Sequence, residues 1–221
     1  MDQQKILLFG VRSAISVEYE ETCYRAGILV EFGVSLYGRP RLMDSSRVVD
    51  IADFQPEDSC GIFCACSFFP ETRKKHFDQA ISLGLAPAEA LVDPTAILAR
   101  NVRLGDATFV NAGAIIGAMT IIGTGVLINR AANIGHHAVL GDFVSIGPGA
   151  TLASNIKVGE NSIIGAGATV MPDVRVGENC VVAGGAVVRT NVPDGTFVAG
   201  PAARPRKFDP KTSSLFVEGG E

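Results

Sequence analysis

The sequence has little that would draw it to a polyanion or a membrane. Its 19 Lys and Arg stand against 23 Asp and Glu, giving a net charge of −4. The basic residues form no dense stripe, so there is no electrostatic footprint for nucleic acid. The first apolar run, Ile6 to Phe9, is too short for a signal peptide or a membrane span, and no membrane insertion is expected. Cysteines are few and irregular: five, at 23, 60, 64, 66 and 180, an odd number. Cys64-Ala65-Cys66 is C-x-C inside an apolar stretch, which reads as buried free thiols. These absences fit a cytoplasmic chain. Histidine is scarce too, with only His76, His136 and His137, and no metal is expected. What is plentiful is core material: 47% of the 221 residues are hydrophobic and 19% charged.

The first part reads as a small Rossmann-like α/β domain over residues 1–88. Lys5-Ile6-Leu7-Leu8-Phe9-Gly10 is a short apolar run ending in glycine, as in a buried strand. Ser13 is placed to cap a helix running to about Ala26, with Gly27 ending it. Residues 28–37 and 61–67 are strand-like. Pro70 suits a first helical turn, with a helix from Glu71 to Leu83 and Gly84 behind it.

From residue 89 to 195 a different order takes over. Every sixth residue from Val92 to Val188 is Val, Leu or Ile, 17 consecutive sites in one register. Four residues after each stands a small or β-branched residue, such as Ala114, Thr120 or Ala186, with Ser162 and Cys180 the least typical. A fixed six-residue period marks a β-helix, whose turns bury their faces only by stacking on one another. Directly after the aliphatic residue, nine sites are glycine. Three after it, 11 of the 17 are Gly, Asn or Asp, among them Asn101, Gly113, Asn155, Asn161 and Gly185. Those types tolerate positive φ, so this position is expected to be a left-handed corner of a flat-sided prism. Residues 196–221 form a C-terminal tail.

The repeat resembles the hexapeptide-repeat acyltransferases, and Thr190 to Arg204 (TNVPDGTFVAGPAAR) is similar to their common exit from the helix. The stretch INRAANIGHH from Ile128 to His137, then Leu140-Gly141-Asp142-Phe143, narrows the likeness. It resembles the branch of sialic-acid O-acetyltransferases and of the bacillosamine and perosamine N-acetyltransferases, which also begins with a small Rossmann-like domain. The resemblance implies a left-handed parallel β-helix with three hexads per coil, an exception to the usual crossover hand. It implies a homotrimer that binds acetyl-CoA between subunits. It also implies transfer of the acetyl group to nitrogen or oxygen of a sugar or nucleotide-linked aminosugar.

Carried onto this chain, the family's catalytic histidine falls on His136. Attack of an amine or hydroxyl on a thioester needs a proton acceptor near neutral pH, and imidazole supplies one without an acyl-enzyme. His136 lies two past the inward Ile134 and so points outward. His137 stands where the family has an acid, a part a histidine cannot play as an anion. It is also at the corner position, and both readings, corner and helper, stand; a backbone carbonyl or a neighbouring subunit would then orient His136. Coenzyme contacts fall on Ser145, Ser154, Ala166 and Gly184, small residues that the repeat itself also demands. On the acceptor side, Asn129 matches the family, with Arg130 in place of its Thr. The family's glycine-rich turn survives only as Gly10, although Arg12 and the nearby helix start offer an anion a place. Arg189, Arg204, Arg206 and Lys207 are candidates for the coenzyme phosphates or are solvated surface.

Two other readings compete. A γ-class carbonic anhydrase shares the helix but needs three zinc-binding histidines, whereas the repeat holds two, adjacent rather than spaced. A non-catalytic trimeric scaffold would account for the eroded glycine-rich turn and the missing acid.

Overall fold

The computed structural model describes residues 3–200 and the backbone of 204–207. Five parallel strands open the chain: β1 (Lys5–Phe9), β2 (Leu29–Ser35), β3 (Val48–Asp50), β4 (Ile62–Ala65) and β5 (Ala86–Pro87), in the order β3-β2-β1-β4-β5. Helix α1 (Ser16–Ala26) crosses from β1 to β2, and α2 (Pro70–Ser82) from β4 to β5. The strand order reverses between β1 and β4, the point where open α/β sheets form a crevice. Pro70 is at the first turn of α2, and Gly27 ends α1 with φ 71°.

Three local expectations change. Ser13 does not cap α1: the N-cap is Ile15 and Ser13 offers only its carbonyl, to the Ser16 N–H. The strands β3 and β5 were not anticipated. They are three and two residues long at the sheet edges, too short to show a period.

The repeat winds into a parallel β-helix with three faces of two-residue strands. Partners on each face are 18 residues apart, as in Ile116, Ile134 and Leu152. The first face begins with Leu91–Val92 and Phe109–Val110, the second with Ile97–Leu98 and Ile115–Ile116, the third with Arg103–Leu104 and Ile121–Ile122. The aliphatic residue and the residue four later both point inward, so Ile134, Ala138, Leu140, Val144 and Ile146 are at most 1% exposed. Each such aliphatic side chain contributes about 1.5–3 kcal/mol of burial.

The corner position is left-handed at 14 successive sites from Ala107 (φ 53°) to Gly185 (φ 68°). This conformation aims the corner N–H at the coil beneath, as His137 N–H does at Ala118 O, 2.9 Å away. Asn101, expected in the same conformation, is not in it. No coil lies beneath it to receive such a bond, and its side-chain oxygen instead accepts from the Met119 N–H above, at 3.0 Å.

The two units share a core. Outward residues of the first face, Leu91, Phe109 and Leu127, are buried against Ile6, Leu8, Tyr19, Cys23 and Cys64. The Tyr19 and Phe109 rings stack with centroids 3.8 Å apart. Arg73 of α2, fully buried, fastens the seam. It donates to Gly125 O and Ser67 O at 2.6 Å, to Phe143 O at 2.8 Å, and to Phe68 O and Val144 O at 3.1 Å. Asp93 ties α1 to the first coil, accepting from the Thr22 hydroxyl and Arg25 at 3.1 Å.

Candidate active site

His136 and His137 occupy the corner between the second and third faces. The inward anchors Ile134 and Ala138 fix the chain on either side. Gly135 is needed there because a Cβ would stand 2.7 Å from the carbonyl carbon of Ala153 in the next coil. The coil above is also tied directly, the Asn155 N–H donating to His136 O at 3.0 Å. His137 adopts φ 57°, the corner conformation. Both imidazoles are exposed, and their Nδ1 atoms face each other at 2.9 Å with the rings nearly perpendicular, at 86°. His137 is therefore a corner residue and the hydrogen-bond partner of His136 at once. Within this chain the next side chain stands where an orienting partner is expected.

The expected coenzyme residues separate into three places. Ser154 is directly above His136, one coil on along the same edge. Ala166 and Gly184 stack on each other at the corner between the first and second faces, where an added Gly184 Cβ would lie 3.1 Å from Ala166 O. With Gly167 and Gly185 they leave two coils bare of side chains beyond Cβ, an exposed strip of backbone. Ser145 is fully buried, and its hydroxyl donates to Phe68 O at 2.6 Å. It serves the seam between the two units and offers no open surface.

The acceptor-side residues also part company. Asn129 is 5% exposed, and its side-chain oxygen accepts from Asn111 Nδ2 at 3.1 Å. Its neighbour Arg130 pairs with Glu18 of α1, which also accepts from Asn111. Gly10 and Arg12 are at the crevice of the α/β sheet. Gly10 has φ 84°, and a Cβ there would stand 2.1 Å from His76 Nδ1. The glycine thus admits the His76 ring, which is held near Cys66 O (3.3 Å) and Tyr37 Oη (3.5 Å). The Arg12 guanidinium lies over the Tyr37 ring, 4.9 Å from its centroid. Arg189 is exposed, while the side chains of Arg204, Arg206 and Lys207 lie outside the described residues.

Sequence reasoning missed Arg73, Asp93, Glu18 and His76. Arg73 keeps its cation at neutral pH although burial pulls its pKa down to about 10, with the phenol of Tyr19 and the thiols of Cys64 and Cys66 opposing that fall. Burial works against the charge of Asp93, yet bonds from the Thr95 hydroxyl and N–H, from Thr22 and from Arg25 hold its pKa below the ordinary carboxylate value. Burial likewise pushes the Cys23 thiol up to about 12 and raises Cys64 and Cys66. Among the described residues no three His, Cys, Asp or Glu side chains form a metal-holding group. His76 is in α2, apart from the two histidines of the repeat. Nor is any described helix long and apolar enough to cross a membrane.

The bacterial transferase hexapeptide model (six repeats) matches residues 155–190. No curated protein matches the chain by sequence. Among solved structures, the acetyltransferase domain of PglB from Neisseria gonorrhoeae, in complex with acetyl coenzyme A, is 28% identical with a TM-score of 0.81, over 93% of this chain and 100% of that one. PerB from Caulobacter crescentus, in complex with CoA and GDP-perosamine, is 25% identical with a TM-score of 0.83, over 93% and 98%. WeeI from Acinetobacter baumannii, 18% identical over 92% and 100% of the chains with a TM-score of 0.67, shares the fold. By its repeat and by a fold that matches these structures over more than nine-tenths of its length, the chain resembles the hexapeptide-repeat acyltransferases and shares their architecture, a left-handed parallel β-helix behind a Rossmann-like unit.

Proposed function

We propose that the chain transfers an acetyl group from acetyl-CoA directly to an amine or hydroxyl of a sugar or nucleotide-linked aminosugar, with His136 as general base. The observation that carries this is the pinned, outward imidazole of His136 beside an open edge of the helix. The acceptor nitrogen or oxygen attacks the thioester carbonyl as its proton passes to His136 Nε2. The new C–N or C–O bond replaces C–S, and the proton then goes to the departing thiolate. Imidazole serves such a relay because it holds and releases a proton near neutral pH.

The donor suits the bare strip of Ala166, Gly167, Gly184 and Gly185, where the pantetheine arm could approach the backbone. That strip and His136 lie on different corners of one prism, so a site using both is completed between copies of the chain. A homotrimer supplies such a junction. Ile97 (63% exposed), Ile115, Met119, Ile121 and Val139 flank the His136 edge and would be covered by it. The acceptor would reach His136 from the crevice near Gly10 and Arg12, whose filling by His76 reshapes it; Asn129 would hold the α1 side of the edge. The 1–88 unit is then the acceptor domain and 89–195 the transfer domain. Five free thiols suit the cytoplasm.

The test is calorimetric titration with acetyl-CoA, followed by thiol release with GDP-perosamine and other aminosugars, in protein sized by light scattering. Saturable binding and release by a trimer support the reading. A monomer that binds no acetyl-CoA contradicts it.

A further inference from the structure

We infer that His137 is a positioning residue that fixes the tautomer of His136, a neutral imidazole doing what a carboxylate would do. The inference rests on the reading of His136 as the base. The two Nδ1 atoms are 2.9 Å apart, a hydrogen-bond distance that admits one proton between them. Two lone pairs there would repel, and two N–H groups would collide. Two arrangements satisfy the contact. If His137 donates, His136 keeps its remaining proton on Nε2 and has no outward lone pair. If His136 Nδ1–H donates to His137 Nδ1, its Nε2 carries the lone pair that a base requires. When Nε2 takes the acceptor's proton, the imidazolium still donates through Nδ1 to a neutral partner. The second arrangement is the working one.

The surroundings leave this part to His137. On the coils directly below and above, the same corner carries Ala118 with Met119 and Ser154 with Asn155. At the corner positions themselves, charged residues recur only two coils away. Arg100 is below, and Asp173 above accepts from Asn155 Nδ2 at 3.2 Å. Asn133 and Val139 flank the corner on its strands, and Lys157 follows Val139 one coil on, paired with it in the third face. The left-handed corner also fixes where the His137 side chain leaves the backbone, since its N–H is bonded to Ala118 O. Orientation and tautomer of one imidazole are thus set by another whose backbone is held in place.

The chain has only three histidines, so long-range ¹⁵N–¹H spectra of the labelled full-length protein resolve every imidazole, with His136→Ala and His137→Gly assigning the pair. The expected result is the Nδ1–H tautomer at His136 and the Nε2–H tautomer at His137. In His137→Gly, which relieves rather than strains the corner, His136 should revert to Nε2–H. With GDP-perosamine as acceptor, kcat should fall about 100-fold while KM for acetyl-CoA stays unchanged. His137→Asn tolerates the same corner and offers a carbonyl acceptor, so it should return to within about tenfold of the parent. His137→Asp should restore turnover and move the acid limb of kcat to higher pH, because an anion stabilises the imidazolium. An Nε2–H tautomer at His136 in the parent protein, or equal turnover in the parent and His137→Gly, overturns the inference. Undiminished turnover in His136→Ala instead removes the base itself, whatever the tautomers.

Discussion

The guanidinium of Arg73, in the second helix, donates to the carbonyl oxygen of Phe143, on a corner of the β-helix 70 residues later. Four further carbonyls, on Ser67, Phe68, Gly125 and Val144, share that cation. Among the described residues no carboxylate is one of its hydrogen-bond partners, and its hydrogen bonds all go to backbone carbonyls. The same contact brings the loop after β4 onto the first face and closes over Ser145. Replacing Arg73 by Leu takes the guanidinium from five carbonyls, of which Phe68 O keeps the Ser145 hydroxyl and Val144 O keeps the Leu127 N–H, and should destabilise the protein by roughly 3–5 kcal/mol. Lys should not rescue it, since a single ammonium cannot span the fork. Denaturant unfolding of both variants checks this; a Lys variant as stable as the parent would contradict it.

Acid should act at Asp93. Its folded pKa lies below the ordinary value, so its contribution is present in full above the unfolded pKa, about 3.9, and is lost as pH falls through the folded value. The melting temperature should therefore fall as the pH drops below about 4, beyond any loss common to all variants. Asp93→Asn should melt lower at neutral pH and show a flatter acid limb. Parallel curves for the two proteins would show that the tie between α1 and the first coil does not depend on this charge.

The proposed donor strip can be covered without touching the core. Ala166 is exposed beside Gly184, so Ala166→Leu should leave the melting temperature within about a degree and raise KM for acetyl-CoA at least tenfold. An unchanged KM would move the donor elsewhere.

Thiol chemistry should be quiet in the folded protein. Cys23, Cys64 and Cys66 are buried with raised pKa values. At pH 7 a disulfide reagent should modify at most one thiol per chain quickly, and Cys60, half-buried, is the one placed to react. All five should react in denaturant. Rapid native reaction at Cys64 or Cys66 would show that the seam between the units opens.

The sequence made the helix legible because each hexad states its own geometry. Ile134 inward, Gly135 under the next coil, His136 outward and His137 at the corner all follow from one register. The same register misled at Asn101, where the residue type suited the corner but no lower coil was present to require it. Ser145 was legible as an outward position and illegible as a buried one. What covers it is Phe68, 77 residues earlier. Arg73 and Glu18 were hidden for the same reason, because their partners are set by how the α/β unit seats on the first face. Gly10 shows the reverse case. It was readable as the surviving glycine of a turn after the first strand, but the neighbour that claims the space above it, His76, comes from α2, on the far side of three further strands.

The most direct measurement of the central claim is acetyl transfer by His136→Ala, followed as acceptor-dependent thiol release from acetyl-CoA, with the assembly checked by light scattering. The expected result is a variant that keeps the oligomeric state and acetyl-CoA affinity of the parent while kcat falls by about 10²–10⁴-fold. Transfer at the parent rate by that well-assembled variant would contradict the account.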